Sequence, residues 1–469
     1  MSVALLGVLV LNFLFLVTGS CLLWAIRGWA SWGEYVRLGG IAYVLGLSSV
    51  CVPATVVLVY GGGVRAGTIL LLVAGLGLAG LVAGVVLHRR LPPAPRLPDL
   101  PQTPVGWLPV GAFVLIGGIL VAFFREARSQ PLTSWDAWAF WMTKAKAIYF
   151  FGGLDPQYFR MLWGPTYPLL VPTLAEMNFR FMGAADTTTL GVQWWLLAVG
   201  FLWAAAGLLR ALAPSPVIAV FLLSALLIPE LDKHLLARTA DWPLDLLFGV
   251  SVLALLGWVL TEERWRLWVF GVTLAAVIAT KREGLLLAVC IVVAALAALG
   301  WQQRRRWAWP VGAAAAAYAT DLPWQLWWSS RGYGAQDAAP GGTLHATFAN
   351  IGKAGAAFDL VVGMIFRYDM WLGLMPIAIV AALFGLLLAD RRPAVFFLTA
   401  LVLGVAGWTW ENWTWSVALP ISSTPALNPT SRTVGSLIVL AVVTAPVVIG
   451  KMLAERRPRA LATPVPATS

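Results

Sequence analysis

Apolar runs long enough to cross a bilayer alternate with short polar turns along most of the chain. A membrane-spanning helix needs about 20 consecutive apolar residues. The pattern therefore predicts an all-α polytopic membrane protein with about 13 transmembrane helices. The predicted spans are 3–26, 39–61, 67–87, 106–124, 188–209, 214–229, 242–260, 267–280, 284–301, 307–321, 371–389, 394–410 and 433–450.

The spans predict three parts along the chain. Residues 1–105 form an N-terminal extension of three membrane helices, 106–455 a transmembrane module and 456–469 a cytoplasmic tail. We expect the first run to be a retained span and not a signal peptide, because no basic residue precedes it. The segment 165–183 contains two prolines and two charged residues, which predicts a helix lying at the membrane interface.

The composition supports a membrane location. The 469 residues are 60% hydrophobic and 11% charged, whereas a soluble domain is about half apolar and roughly a quarter charged. An ordinary cytosolic enzyme, a disordered chain and a coiled coil are therefore excluded. The three cysteines lie within apolar runs, which argues against a disulfide framework or a thiolate metal site.

Basic residues are concentrated in the loops that join the spans on one side. With an odd number of spans, these loops and the C-terminal tail share a face, and the whole net charge of +11 falls on it. Short basic loops are typical of the cytoplasmic side, where they also meet anionic lipid. We therefore predict an extracytoplasmic N-terminus and a cytoplasmic C-terminus, and we expect no nucleic-acid partner.

Long loops on the predicted outer side are candidates for function: 125–187, 322–370 and 411–432. The first contains Asp136 between Trp135 and Trp138, which form an apolar stripe with Trp141 or Met142 at helical spacing. A carboxylate among aromatic rings near a low-dielectric boundary is costly unless it is paired or functional. The alternative is an interfacial helix with an aromatic belt and a solvated aspartate.

Further charges lie at the predicted outer ends of the spans. Lys281, Arg282 and Glu283 form the turn between two spans, which we expect at the surface, and Arg238 and Asp241 open another span. Adjacent cations at this level can bind a phosphate or diphosphate. The candidate phosphate-binding cations are Lys281, Arg282 and Arg331, with Lys144, Lys146 and Arg432 as further candidates.

Taken together, these residues resemble the GT-C superfamily of membrane glycosyltransferases, which includes protein O-mannosyltransferases, the aminoarabinose transferases of lipid A, and actinobacterial arabinosyl- and mannosyltransferases. The resemblance covers roughly 106–455. The motifs that support it are Trp135-Asp136-Ala137-Trp138, Tyr167-Pro168-Leu169-Leu170-Val171-Pro172, Asp241-Trp242-Pro243-Leu244-Asp245-Leu246-Leu247-Phe248 and Thr280-Lys281-Arg282-Glu283-Gly284.

The chain departs from the family pattern in three respects. Three spans precede the module, the soluble C-terminal domain of some members is missing, and 164–168 replaces the Glu-Lys-Pro-Pro stretch of the aminoarabinose branch. The phosphate-binding lysine of that branch therefore has no counterpart here. Lys144, Lys146 or Lys281 would have to take its role.

The resemblance implies a GT-C fold with interfacial helices in a long first outer loop of the module. It implies a polyprenyl-phosphate sugar as donor and a cell-envelope glycan, lipid or protein as acceptor. Asp136 would be the general base and the cations would bind the donor phosphate. The residues that would bind sugar or acceptor, or orient the cations, are Asp241, Glu283, Arg238, Tyr167, Trp135 and Trp138.

Two other classes of function stay open from the sequence. A lipid-linked glycan polymerase or ligase would share the outer basic residues, whereas a polyprenyl-lipid flippase or transporter would place ionisable residues at mid-membrane. We expect no cofactor and assign no metal site, although Asp136 and Asp241 could both ligate a divalent ion. We expect a monomer in a bacterial plasma membrane. The sugar, the acceptor and the prenyl length are not determined by the sequence.

Overall fold

A computed structural model describes residues 2–88, 107–333, 343–415 and 430–456. All regular secondary structure in these ranges is helical, which confirms the predicted all-α membrane protein. The predicted cytoplasmic tail lies almost wholly outside the described residues, as does the end of the N-terminal extension. The first third contains α1 (Val3–Ile26), α2 (Trp32–Val59), α3 (Ala66–His88), α4 (Trp107–Ala127), the π-helical turn Asp136–Trp141, α5 (Met142–Phe151), α6 (Pro156–Met161) and α7 (Leu170–Met182).

The remaining helices follow in two groups. The middle of the chain forms α8 (Gly191–Leu209), α9 (Ser215–Leu226), α10 (Pro229–Ala237), α11 (Asp241–Thr261), α12 (Arg264–Thr280) and α13 (Glu283–Leu299). The last part forms a 3₁₀ turn (Trp301–Arg306), α14 (Ala308–Ala319), α15 (Leu322–Ser329), α16 (Thr343–Ala349), a second 3₁₀ turn (Ile351–Lys353), α17 (Ala354–Ile365), α18 (Tyr368–Trp371), α19 (Leu374–Leu388), α20 (Arg392–Trp415), α21 (Thr430–Thr433) and α22 (Gly435–Arg456).

Within the described ranges, eight helices are long and apolar enough to cross a membrane: α1, α2, α3, α4, α8, α11, α20 and α22. The pair α9 and α10, bent by 60°, would make a ninth. The other predicted spans fall on helices of only 12 to 17 residues: α12, α13, α14 and α19. The count of about 13 therefore stays a prediction.

Burial separates central helices from peripheral ones. In α11, 89% of the apolar window is buried, compared with 11% in α4. Both helices are hydrophobic on all sides, for different reasons. Helix α11 is surrounded by other helices, whereas α4 is at the periphery, which in a membrane protein faces lipid and not water. At the crossing of α1 and α2 the backbones touch: a Cβ at Gly19 would lie 1.7 Å from the carbonyl oxygen of Ala42. Glycine permits this close approach between membrane helices.

A buried polar network joins the four helices α1, α2, α7 and α8. The Asn12 amide of α1 donates to Gln193 Oε1 of α8 at 2.7 Å, and the Asn178 amide of α7 donates to the same oxygen at 3.1 Å. The Tyr43 hydroxyl of α2 donates to Asn12 Oδ1 at 2.7 Å. Polar side chains that satisfy one another in this way hold helices together in an apolar environment. The network ties the three-helix extension to the module.

The segment 165–183 is enclosed by other helices, and its predicted position at the membrane interface stays a prediction. Its helix α7 is buried along most of its length and packs on α1, α2 and α5. Its two charges pair with each other, since Arg180 Nε lies 2.6 Å from Glu176 Oε1, and Arg180 also donates to the Tyr149 carbonyl. Burial raises the pKa of Glu176 to about 7, against the opposing effect of Arg180. Local pairing lets this charged helix be enclosed.

Candidate functional site

Charged residues from distant parts of the chain meet at one end of the helix bundle. Asp136 begins the π-helical turn, Asp241 begins α11, and Arg432 lies in α21 just before α22. Lys281 separates α12 from α13, and Glu283 begins α13. The ends of α12 and α20 and the beginnings of α11, α13 and α22 therefore surround one site.

Lys281 and two carboxylates form the enclosed part of this site. Lys281 Nζ lies 2.9 Å from Asp241 Oδ1 and 2.6 Å from Glu283 Oε1. Asp241 and Glu283 each occupy the first turn of a helix, where unsatisfied backbone N–H groups favour negative charge. Among the three side chains the exposed fraction is at most 11%. Buried charges are stable only when they are paired in this way.

Arg432 connects the enclosed ions to the rim. Its NH1 group donates to Asp136 Oδ2 and lies 3.8 Å from Asp241 Oδ2. The Asp136 and Arg432 side chains are each 31% exposed, so both can meet a ligand from outside. Trp135 and Trp138, each about half exposed, flank Asp136, and Trp163 packs edge-on against Trp135. The rim therefore combines a carboxylate, a cation and aromatic faces.

Arg282 approaches the same site from the α12–α13 turn. Its guanidinium donates to the Thr166 hydroxyl and lies 4.6 Å above the Tyr167 ring. A guanidinium over an aromatic face is held by the ring quadrupole. Tyr167 thus belongs to the site through its contact with Arg282, which places the loop before α7 beside the charged turn.

Ion pairs join Lys281 and Arg432 to three carboxylates in one ion cluster, which consists of these two cations with Asp136, Asp241 and Glu283. Both cations keep their charge. Burial lowers the pKa of the Lys281 amine, but the Asp241 and Glu283 carboxylates outweigh this and hold it well above its usual range. Burial also lowers the pKa of Arg432, and Asp241 and Asp136 together raise it above its usual value. Fixed positive charge of this kind stabilises a phosphate that leaves or binds.

Two other predicted cations are held beside aromatic rings, and Lys144 lies next to the site, with its amine 5.9 Å from the centre of the Tyr167 ring. Lys144 is buried and donates to the Gly164 carbonyl at 2.6 Å, with its amine 4.1 Å from the Phe140 ring centre. Arg331 lies in the turn after α15, over the Trp327 ring at 4.2 Å. Lys146 is partly exposed on α5, and no contact joins it to the cluster among the described residues.

Arg238 lies three residues before Asp241, but its hydrogen bonds are made to the end of α4 and the chain after it, and not to the ion cluster. It is buried at the end of α10 and donates to the carbonyl oxygens of Ala127 and Gln130, at 3.1 and 2.6 Å. These contacts stabilise the end of α4. Burial lowers the pKa of Arg238 to about 10, while Asp186 opposes the shift. Its position is that of a structural clamp.

Sequence reasoning missed several ionisable residues beside the site. Glu411, in the last turns of α20, interacts electrostatically with Glu283, Lys281 and Arg282. Its position near the end of an apolar span was the available signal.

In the described ranges, no group of three or more His, Cys, Asp or Glu side chains is arranged to hold a metal ion.

A second missed cluster lies behind Asp241. His234 Nδ1 of α10 is 3.6 Å from Asp245 Oδ2, and the Ser436 hydroxyl donates to Asp245 Oδ1. His234 and Asp245 are almost fully buried. Asp245 follows Asp241 by one helical turn, which was the only sequence signal for this pair.

Comparison with protein-family models, with curated proteins and with solved structures finds no match for this chain. The functional argument therefore depends on the geometry of the site.

Proposed function

We propose that the protein transfers a sugar from a polyprenyl-phosphate donor to a hydroxyl-bearing acceptor of the cell envelope, on the extracytoplasmic face. The observation that supports this most directly is the shared Arg432, which contacts Asp136 at the rim and lies 3.8 Å from Asp241 inside. This arrangement sets a proton acceptor beside fixed cations at the end of a membrane bundle. Both are requirements of the proposed reaction.

The proposed reaction balances with the groups at the site. The acceptor hydroxyl oxygen bonds to the anomeric carbon while the bond from that carbon to the phosphate oxygen breaks. Asp136 takes the hydroxyl proton, and the bonding electrons leave with the polyprenyl phosphate. The donor phosphate competes with Asp136 for Arg432, which frees the carboxylate to accept the proton. Lys281 and Arg282 add positive charge behind the leaving group.

The flanking surface suits the two ends of such a donor. Trp135, Trp138 and Trp163 present aromatic faces beside Asp136, and aromatic rings can stack on sugar rings. The prenyl chain would lie in the surrounding lipid, because the site is at the end of membrane-spanning helices. A soluble substrate would have no need of this location.

Replacing Asp136 by Asn tests the proposed base. The amide keeps the size of the carboxylate but cannot accept the proton, so transfer should fall by about 10²–10⁴-fold. The measurement is sugar transfer from polyprenyl-phosphate-linked mannose, arabinose and aminoarabinose by the purified full chain in nanodiscs. Donor binding should not weaken, because the proposed phosphate ligands are other residues and the neutral amide competes less with the phosphate for Arg432.

Asp155→Asn is the matched control, since Asp155 lies in the same loop and caps α6, a role that asparagine fills equally well. It should transfer sugar as the wild type does. An Asp136→Asn variant with more than about a tenth of wild-type turnover would exclude Asp136 as the base. A wild type that moves polyprenyl lipids across the bilayer without any transfer would favour the transporter alternative.

A further inference from the structure

A cavity of about 780 Å³ opens where α13 ends and α20 begins. This is the end of the helix bundle that is remote from the ion cluster. Helix α20 begins at Arg392 beside the cavity and reaches the cluster at Glu411. At 1.5 Å per residue this separation is roughly 29 Å, close to the thickness of a bilayer hydrocarbon core. The cavity therefore lies at the opposite membrane interface from the proposed active site.

The cavity wall is divided into an apolar and a polar part. Ala298 of α13, Leu386 of α19 and Val395 of α20 line it within the bundle, whereas Gln302 and Arg391 line it at the turns. Helices α13 and α19 both pack on α20, so the apolar part is a cleft between membrane helices. A wall of this kind matches an amphipathic molecule with its polar end at the interface.

Positive charge remains at the polar mouth after the ion pairs are counted. Arg392 pairs with Asp390 at 2.7 Å, and Arg306 pairs with Glu262. Arg391 and Arg305 are exposed, and within the described part of the chain neither has a carboxylate partner. A basic cluster between helices at the cytoplasmic end is a recurrent binding site for anionic lipid headgroups.

Exposed tryptophans at the level of the cavity's polar mouth indicate that this level is a membrane–water interface. Trp301 lines the cavity and is 67% exposed, Arg304 lies 5.5 Å from its ring, and the exposed Trp309 follows nearby in α14. Exposed tryptophans are typical of the depth at which lipid headgroups meet hydrocarbon. The polar mouth therefore coincides with the headgroup layer.

We propose that this cavity binds one anionic phospholipid, with its phosphate at Arg391 and an acyl chain in the cleft between α13, α19 and α20. Arg305 adds attraction for the headgroup from the rim. The apolar part of the wall favours a lipid over a free phosphate compound, which would leave that part uncovered. This site is separate from the proposed transfer reaction, and its test does not depend on that reaction.

Native mass spectrometry of the full chain tests the site. The detergent-solubilised protein is titrated with phosphatidylglycerol and with phosphatidylcholine of identical acyl chains. We expect the wild type to retain one phosphatidylglycerol in preference to phosphatidylcholine. Arg391→Gln should lower this preference about fivefold, the effect of one basic residue near an anionic headgroup. Arg160→Gln, an exposed arginine of α6 in the loop that contains Asp136, is the control and should leave it unchanged.

A second variant distinguishes a lipid from a free phosphate compound. Ala298→Phe fills the apolar part of the cavity and should prevent retention of phosphatidylglycerol, while the wild type should not bind glycerol 3-phosphate. Equal retention by wild type and Arg391→Gln overturns the proposal. Binding of glycerol 3-phosphate by both wild type and Ala298→Phe would also overturn it, in favour of a site for a free phosphate compound. Because Arg391 is exposed, its variant should fold, and it decides the result if Ala298→Phe does not fold.

Discussion

Lys281 shows how far burial changes the role of a residue at a predicted surface turn. The sequence predicts that the turn of Lys281, Arg282 and Glu283 lies at the surface. The structure instead encloses Lys281 between Asp241 and Glu283. Arg282 is the cation of the same turn that faces Thr166 and Tyr167. The two neighbours therefore differ: Lys281 stabilises the site, and Arg282 is the better probe of phosphate binding.

Replacing Lys281 by Met should destabilise the protein strongly. Methionine keeps the length of the side chain but leaves Glu283 without its paired cation and Asp241 with Arg432 alone, at 3.8 Å. Removing one partner of a buried ion pair typically costs about 3–5 kcal/mol. The measurement is the unfolding temperature of the purified protein in detergent. Lys146→Met, on the partly exposed side of α5, is the control and should unfold like the wild type.

Neutralising both carboxylates should rescue this variant. Combining Lys281→Met with Asp241→Asn and Glu283→Gln removes the uncompensated negative charge. The triple variant should therefore regain most of the decrease in unfolding temperature that Lys281→Met alone causes. A Lys281→Met protein as stable as the control would contradict the enclosed ion cluster. The raised pKa of Lys281 means that its contribution is fully present below the amine's ordinary pKa and is lost only as the pH rises through the higher folded value.

At the scale of helices, polar contacts decide how apolar elements are arranged. Helices α1, α2 and α8 are long and apolar, and their hydrophobicity alone does not select a neighbour in lipid. The contacts of Gln193 with Asn12 and Asn178 select the partners of α8. They also fix α7, the helix that directly follows the loop containing Asp136 and Tyr167.

Replacing Gln193 by Leu should loosen this junction. The leucine leaves the amide groups of Asn12 and Asn178 without their shared acceptor, at a cost of about 1–2 kcal/mol. We expect a lower unfolding temperature than for Gln157→Leu, an exposed position on α6. If the two variants have the same unfolding temperature, the network does not stabilise the contact between the extension and the module.

At the scale of the whole molecule, the two charged regions lie at opposite ends of the bundle. The ion cluster joins helix ends that the sequence places on the outer side, and the cavity with Arg391 and Arg305 lies at the other end. The second end includes three of the predicted cytoplasmic turns, 261–266, 302–306 and 390–393, which hydrogen bonds join to one another or to the adjacent end of α11. If the positive-inside rule applies, the cavity faces the cytoplasm and the ion cluster faces outward.

Cysteine labelling tests this orientation. Gln157→Cys and Arg305→Cys are placed separately on a Cys21→Ser background, because Cys51 and Cys290 are buried. A membrane-impermeant maleimide added to intact cells should label position 157 directly, and position 305 only after permeabilisation. The reverse result would place the ion cluster in the cytoplasm and would contradict transfer on the extracytoplasmic face.

Apolar composition and loop charge were sufficient to predict an all-α membrane protein, because the requirement to satisfy backbone hydrogen bonds in lipid leaves long helices as the solution for an apolar chain. Loop position and charge also singled out Asp136, Asp241, Lys281, Arg282, Glu283 and Arg432, and the family resemblance added Tyr167. The structure brings these residues to one place. Only the tertiary structure decided that Arg238 holds the end of α4 and that Glu411 and His234 lie near the ion cluster. Ion pairs such as Arg432 with Asp136 join residues 296 positions apart. Local sequence contains no signal for such a contact, because it depends on how the helices pack.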